Sequence, residues 1–246
     1  MRSVVFVPAR MEATRFPGKP LAKIGGKPMI QWVYDRVSKC DATDVFVITD
    51  SDEICDTVEN FNGAYIKTSS SPKNGTERCL EAVHLLEIEG KEYDVILNVQ
   101  GDEPLINPED LNKLINLFEN EDVDVATLIS PIKYEADYRD KNVVKATTTL
   151  FDEGYCDVSS FSRSPIPYME EFKSGVAFQH IGVYGFTSMA FKEIENMHPT
   201  ELEQTEKLEQ LRWMQNHLII SAIVTNSELI GVDTPEDLKK AEALLG

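Results

Sequence analysis

The chain has 246 residues, 42% hydrophobic and 27% charged, which is the size and composition of a globular protein with a sizeable core. Its 42 acidic and 24 basic residues give a formal net charge of −18. This charge disfavours nucleic acid and anionic membranes as partners, because both need a basic face. With no secretion signal, no run near the ~20 apolar residues of a membrane span and four cysteines outside metal-site spacing, we expect a cytoplasmic protein.

Apolar runs rich in β-branched residues alternate with helical patterns through the first half of the chain. The runs that predict strands are 4–7, 44–50, 64–68, 94–100 and 123–129. Helical patterns lie between them, at 30–38, from 51, at 76–87 and from 107. This rhythm predicts right-handed βαβ crossovers, and therefore an α/β fold with a mostly parallel central sheet.

The rhythm changes near residue 130. Segments 141–150 and 179–186 alternate as half-exposed strands do, and the segment between them is Pro-rich and extended. We expect 130–186 to be an antiparallel elaboration of one domain that spans 1–246. A helix at about 200–216, a strand at 218–225 and a closing helix at 234–245 complete the predicted order.

The loop after the first predicted strand is basic in an acidic protein. Residues 1–27 hold six basic residues and one acidic residue, a net charge of +5. Arg10, Arg15 and Lys19 lie in the Pro- and Gly-punctuated part of this segment. A positive loop at the carboxyl end of a strand indicates an anion site. A solvated loop with scattered basic residues remains the alternative.

Two aspartates are candidate ligands for a metal ion. Asp102 follows a buried strand and a glycine, which is a suitable place to hold Mg²⁺ on a nucleotide phosphate. Asp233 precedes a predicted helix in which Thr234 is the N-cap and Asp237 its capping-box partner, so capping explains Asp237 and leaves Asp233 unexplained. A turn-closing role for Asp102 stays open, and sequence alone does not show that the two aspartates meet.

The second half of the chain offers weaker candidates. His180 and Tyr184 are four residues apart in an alternating stretch and are expected on one face, where a structural histidine is the alternative. Glu209 and Gln210 share a predicted helix with other polar residues, for which a solvated face is the simpler interpretation.

Short motifs spread from residue 8 to residue 237 resemble, in order, those of the 3-deoxy-D-manno-octulosonate (Kdo) cytidylyltransferases. These motifs lie at 8–10, 14–15, 17–21, 26–30, 74–78, 98–104, 161–167, 180–184, 208–212 and 231–237. The resemblance implies a Rossmann-like nucleotidyltransferase fold. It also implies a Mg²⁺-dependent transfer of CMP from CTP to the sugar acid Kdo for lipopolysaccharide synthesis, with release of pyrophosphate. The expected assembly is a homodimer in which 130–186 supplies sugar-binding residues and dimer contacts.

The resemblance also assigns roles residue by residue. It implies nucleotide binding by Ala9, Arg10, Arg15, Lys19, Asn74, Gly75, Thr76, Arg78, Gln100 and Asp102. The implied sugar-acid pocket contains Gln100, Arg163, His180, Tyr184, Glu209 and Gln210. Asp102 and Asp233 would bind Mg²⁺, and with Arg10 and Lys19 they form the implied catalytic set.

Several positions depart from the family pattern close to the implied substrates. Glu12 adds a negative charge to the basic loop, and Gln179 stands where a basic residue is usual. The segments 72–73, 159–160 and 186–187 differ as well. These departures leave open a related acidic sugar, such as 8-amino-Kdo or a nonulosonate. A catalytically silent nucleotide-binding dimer is a further alternative, which the pair Asp102 and Asp233 disfavours.

Overall fold

The computed structural model describes residues 1–12, 16–119, 122–150 and 155–245. The chain divides into two compact units. Unit 1 comprises Met1–Asn112 together with Ser227–Gly246, and unit 2 comprises Lys113–Asn226. The prediction that 1–246 forms a single domain with an elaboration at 130–186 stays a prediction.

Strands and helices are numbered separately in chain order. The strands are β1 Ser3–Pro8, β2 Lys23–Ile24, β3 Lys27–Pro28, β4 Asp44–Thr49, β5 Tyr65–Lys67, β6 Val95–Asn98, β7 Val125–Pro131, β8 Lys145–Leu150, β9 Tyr155–Ser162, β10 Phe178–Thr187 and β11 Ile220–Val224. The α-helices are α1 Met29–Val37, α2 Asp52–Asn60, α3 Gly75–Ile88, α4 Pro108–Leu117, α5 Glu135–Arg139, α6 Ser188–Glu195, α7 Glu201–Glu206, α8 Gln210–Gln215 and α9 Pro235–Leu245.

The large sheet of unit 1 is parallel, with strand order β5-β4-β1-β6. The four residues from Val4 to Val7 are completely buried, as expected for a continuous apolar strand covered on both faces. Ile30, Val33 and Val37 form the buried stripe of α1. The predicted parallel sheet is therefore confirmed in this unit, and it places the ends of β1 and β6 side by side.

Unit 2 contains strands in the order β10-β7-β11-β9-β8, and all of these pairs are antiparallel except β7 with β11. The predicted antiparallel elaboration is confirmed by β8, β9 and β10. Tyr184 and Phe186 meet the ring of Trp213 edge-on, at centroid distances of 4.9 and 5.2 Å. This aromatic cluster anchors α8 to the sheet through buried area and ring geometry.

The prediction of one helix at 200–216 is wrong. α7 begins with a capping box between Thr200 and Glu203 and ends at Glu206, and its C-cap Lys207 has a left-handed φ of 54°. α8 then starts at Gln210. Sequence reasoning missed the break because Lys207 is not one of the residues that ordinarily end a helix in this conformation. No helix of the described residues is long and apolar enough to span a membrane.

Candidate active site

The loops that follow β1 and β6 touch at Gly101. A Cβ atom on residue 101 would lie 2.8 Å from the carbonyl oxygen of Pro8, a separation that real Cβ atoms essentially never show. Ala9 is buried beside this contact and donates its backbone N–H to Ile48 O. Glycine at 101 thus lets Asp102 approach the basic loop closely.

The structure brings Lys19, Asp102 and Asp233 together. Lys19 Nζ donates to Asp102 Oδ2 at 2.6 Å and to Asp233 Oδ1 at 3.2 Å. Gly18, with φ 70°, turns the chain before Lys19, while the N–H of Val232 donates to Asp102 O and aligns the loop that carries Asp233. Two carboxylates 131 positions apart therefore converge on one ammonium group.

The acids around Lys19 determine the local electrostatics. Burial would lower the pKa of Lys19, but Asp102 and Asp233 outweigh that effect and hold the pKa above its ordinary value. Glu103 Oε2 is enclosed and has no hydrogen-bond partner among the described residues. Burial, and then the charges of Asp102 and Asp233, raise the pKa of Glu103 to about 8. Glu103 is therefore mostly protonated at neutral pH, and the cluster holds the carboxylates of Asp102 and Asp233 around the cation of Lys19.

The Asn74–Arg78 segment begins α3. Asn74 Oδ1 accepts the N–H of Glu77 at 2.8 Å as the N-cap, and Thr76 is buried. A Cβ on Gly75 would lie 3.2 Å from Gln100 Nε2, so Gly75 and Gln100 are neighbours in unit 1. Gln100 Nε2 in turn donates to Asn98 Oδ1 at 3.0 Å.

Arg78 is directed into the protein. Its side chain is 5% exposed, and its guanidinium donates to Thr68 Oγ1 and to Ser69 O and pairs with Asp50 at 3.3 Å. These contacts hold the segment that precedes α3. Its predicted contact with a nucleotide stays a prediction, as does that of Arg10, which is exposed. Arg15 lies outside the described residues.

In unit 2, Arg163 is held by backbone carbonyls. Its Nε donates to Glu206 O at 2.7 Å and its Nη1 to Lys141 O at 3.1 Å. Behind it, the completely buried Lys145 donates from Nζ to the carbonyl oxygens of Asp140, Val143 and Arg163, at 2.6–2.8 Å. Sequence reasoning missed Lys145, because a lysine that opens an alternating strand gives no signal of burial.

His180 and Tyr184 lie on one face, as predicted, with ring centroids 5.2 Å apart. Thr127 Oγ1 donates to Val183 O at 2.8 Å and lies 3.0 Å from His180 Nε2, so the neutral imidazole carries its proton on Nε2. Burial lowers the pKa of His180 to about 3. The neutral ring donates from Nε2 to Thr127, keeps Nδ1 as a hydrogen-bond acceptor and does not carry charge at neutral pH.

Glu209 and Gln210 stand at the start of α8. Gln210 is 2% exposed, and its Nε2 is enclosed without a hydrogen-bond partner among the described residues. Burial raises the pKa of Tyr184, and the charge of Glu209 adds to this effect. The predicted solvated helix face is therefore wrong for Gln210, while the predicted sugar-binding roles stay predictions.

Comparisons with known proteins agree with this geometry. The chain matches the family model described as cytidylyltransferase over residues 4–223. It is 43% identical to the 3-deoxy-manno-octulosonate cytidylyltransferase of Thermodesulfovibrio yellowstonii, covering 100% of this chain and 98% of that one. It is 41% identical to the 8-amino-3,8-dideoxy-manno-octulosonate cytidylyltransferase of Shewanella sp. strain W3-18-1, covering 100% and 99%.

Among solved structures, the chain resembles CMP:2-keto-3-deoxy-manno-octonic acid synthetase complexed with CTP. The TM-score is 0.89 at 34% identity, and the match covers 100% of this chain and 98% of that one. The Rossmann-like nucleotidyltransferase fold predicted from the sequence is thereby confirmed.

Proposed function

Because the chain belongs to the cytidylyltransferase family, we propose that it transfers CMP from CTP to Kdo and releases pyrophosphate. The observation that carries this proposal is the convergence of Lys19, Asp102 and Asp233 beside the basic loop. A silent nucleotide-binding scaffold has no need for two distant carboxylates that converge on the ammonium group of Lys19. Synthesis of lipopolysaccharide in the cytoplasm is the setting we infer for the reaction.

The donor set at Asp102 and Asp233 fits Mg²⁺. One oxygen of each carboxylate lies close to the same nitrogen atom, so both can reach one cation. No cluster of three or more His, Cys, Asp or Glu side chains suited to a metal occurs in the described part of the chain. This agrees with Mg²⁺, which uses one or two carboxylates and takes its other ligands from water and substrate phosphates. When bound there, Mg²⁺ would supply charge neutralisation and acidify the attacking hydroxyl.

The basic residues are proposed to act on the phosphates of CTP. Arg10, Arg15 and Lys19 would bind the triphosphate and stabilise the departing pyrophosphate. The Asn74–Thr76 segment would hold the nucleotide beside Gln100, while buried Arg78 keeps that segment in place. The anomeric hydroxyl of the sugar must attack the α-phosphorus of CTP in line with the departing pyrophosphate. Positioning of the two substrates is therefore the main contribution of the protein.

We propose that the unit 2 residues Arg163, His180, Tyr184, Glu209 and Gln210 bind the sugar acid, while the predicted contribution of Gln100, in unit 1, stays a prediction. Nδ1 of the neutral His180 can accept a hydrogen bond from a sugar hydroxyl, and the enclosed amide of Gln210 can donate one. A pocket built from such groups discriminates against sugars that lack the matching hydroxyl. The Shewanella relative favours 8-amino-Kdo as a second candidate, and Gln179, in place of a basic residue, suits an amino sugar.

A homodimer is the assembly we propose. Tyr134, Tyr168 and Val176 expose large apolar surfaces within the 130–186 segment, with Tyr168 87% exposed. Exposed apolar side chains of this size within one segment favour an interface there. Analytical ultracentrifugation tests the dimer, and a monomer at micromolar concentration would contradict it.

The decisive experiment is release of pyrophosphate by the purified protein. CTP is supplied with Mg²⁺ and, in separate reactions, with Kdo, 8-amino-Kdo and a nonulosonate. We expect turnover with one of the two octulosonates, and a loss of at least ~100-fold in Asp102→Asn with an unchanged circular dichroism spectrum. The order of kcat/KM for the two octulosonates identifies the substrate. Absence of release with every sugar would overturn the proposed function.

A further inference from the structure

Lys19 occupies the point at which the proposed metal ion would bind. Its ammonium group lies 2.6 and 3.2 Å from the carboxylate oxygens of Asp102 and Asp233. Its side chain is 13% exposed, against 29% for Asp102 and 47% for Asp233, so Lys19 is more enclosed than the two acids it bridges. A Mg²⁺ ion that bound both of these oxygens at about 2.0–2.1 Å would lie where the ammonium group lies, so the two cations exclude each other from that position.

We propose that Lys19 closes the metal site in the nucleotide-free protein and that the triphosphate opens it by drawing the ammonium away. The inference rests on the proposed function for the identity of the ligands. It goes beyond that function, since it makes Lys19 a competitor of the metal ion before it becomes a phosphate ligand.

The charges explain why a competitor is needed. Without a cation, Asp102 and Asp233 would repel each other beside the enclosed carboxyl group of Glu103. Lys19 removes this repulsion when no ligand is bound. A triphosphate offers the ammonium a stronger partner, and the vacated carboxylates then attract a divalent cation. The flexible four-carbon stem of lysine permits this exchange, whereas the planar guanidinium of arginine would hold the carboxylates more rigidly.

The exchange makes metal and nucleotide binding cooperative. In the free protein the divalent ion must displace Lys19, so its affinity is low. With nucleotide bound, the displacement has already taken place. By linkage, the metal must strengthen nucleotide binding by the same factor, and coupled sites typically show factors of about 5–150.

The test is binding of Mn²⁺ to the protein without nucleotide or sugar, measured by electron paramagnetic resonance and isothermal titration calorimetry. We expect Lys19→Met to bind Mn²⁺ roughly tenfold more tightly than the unaltered chain, within the usual range of coupling. Lys23→Met is the matched control: it removes the same charge from an exposed residue of β2 and should not alter the affinity.

Two further results make the test specific. The gain in Mn²⁺ affinity should disappear when the double variant Lys19→Met with Asp102→Asn is compared with Asp102→Asn alone, because the competition requires the carboxylate of Asp102. Circular dichroism and thermal unfolding verify each fold, and Lys19→Gln replaces Lys19→Met if the latter does not fold. Unchanged or weaker Mn²⁺ binding in the Lys19 variant, or an equal gain in Lys23→Met, would overturn the inference. Because no substrate is present, this outcome is independent of the pyrophosphate assay.

Discussion

His180 should make the stability of unit 2 depend on pH. Its folded-state pKa is about 3, against an ordinary value of 6.5. Because of this lower pKa, the unfolded chain binds a proton at His180 between pH 6.5 and pH 3, and the folded chain does not. The stability contributed by neutral His180 is therefore present above pH 6.5 and is lost as pH falls from 6.5 towards 3.

The magnitude follows from the size of this shift. At pH 5 the ring is about 1.5 units below its unfolded pKa, and at about 1.36 kcal/mol per unit the loss is about 2 kcal/mol relative to pH 8. This is an upper value, because part of the His180 side chain remains exposed. In a chain of this length a loss of that size lowers Tm by about 4–8 °C.

The assay compares urea unfolding at pH 8 and pH 5 for the unaltered chain and His180→Phe. Phenylalanine keeps the ring beside Phe161 and Tyr184, and Thr127 keeps its bond to Val183 O. The variant should lose about 2 kcal/mol less on acidification. Exposed His198, changed to Gln, is the control.

Another group titrates in the same window, with the opposite sign. The pKa of Glu103 is raised to about 8, so its contribution is fully present below its ordinary value of 4.5 and is lost as pH rises through 8. The contribution of Glu103 is the same in the unaltered chain and in His180→Phe, so it cancels when the stability losses of the two proteins are subtracted. If His180→Phe and the unaltered chain lose equal stability between pH 8 and pH 5, the reasoning about His180 is refuted.

Three further changes test the framework of unit 1. Arg78→Ala should cost about 3 kcal/mol in urea unfolding, because it leaves the groups around a buried cation without their partner, and a cost under about 1 kcal/mol would contradict this. Gly101→Ala should cost about 1–3 kcal/mol and reduce turnover, since the new Cβ meets Pro8 O; full turnover would show that the close approach is unimportant. Thr234→Ala should cost about 1 kcal/mol through loss of the cap on α9, with thermal unfolding as the measurement and an unchanged Tm as the contrary result.

Local features were predictable because their causes are local. The apolar run of β1 and the cap of α9 depend on neighbours within a few residues. Thr234 and Asp237 form the expected box: burial would raise the pKa of Asp237, but hydrogen bonds from Thr234 and Lys240 hold it below its ordinary value. The break at Lys207 was missed because the conformation of that residue depends on what α7 and α8 pack against, which no short window contains.

The position of each charged side chain in the folded protein, and its bonding partners, were much harder to predict. Arg78 and Arg163 have the same charge and both lie in recognisable motifs. The structure directs Arg78 into the interior of unit 1 and ties Arg163 to the backbone of unit 2. Lys145, which no motif marked for function, is completely buried and donates to three carbonyl oxygens. Desolvation and partner geometry decide such positions, and both are properties of the folded chain.

The sequence by itself determined the α/β order, the parallel and antiparallel regions and the residue types of the site, because periodicity and capping act over a few residues. Only the tertiary structure decided that Asp102 and Asp233 converge, and that Lys19 lies between them. The physical reason is that these three side chains come from loops far apart in the chain. They meet because the parallel sheet of unit 1 sets the ends of β1 and β6 side by side, and because Val232 bonds the loop before α9 to Asp102.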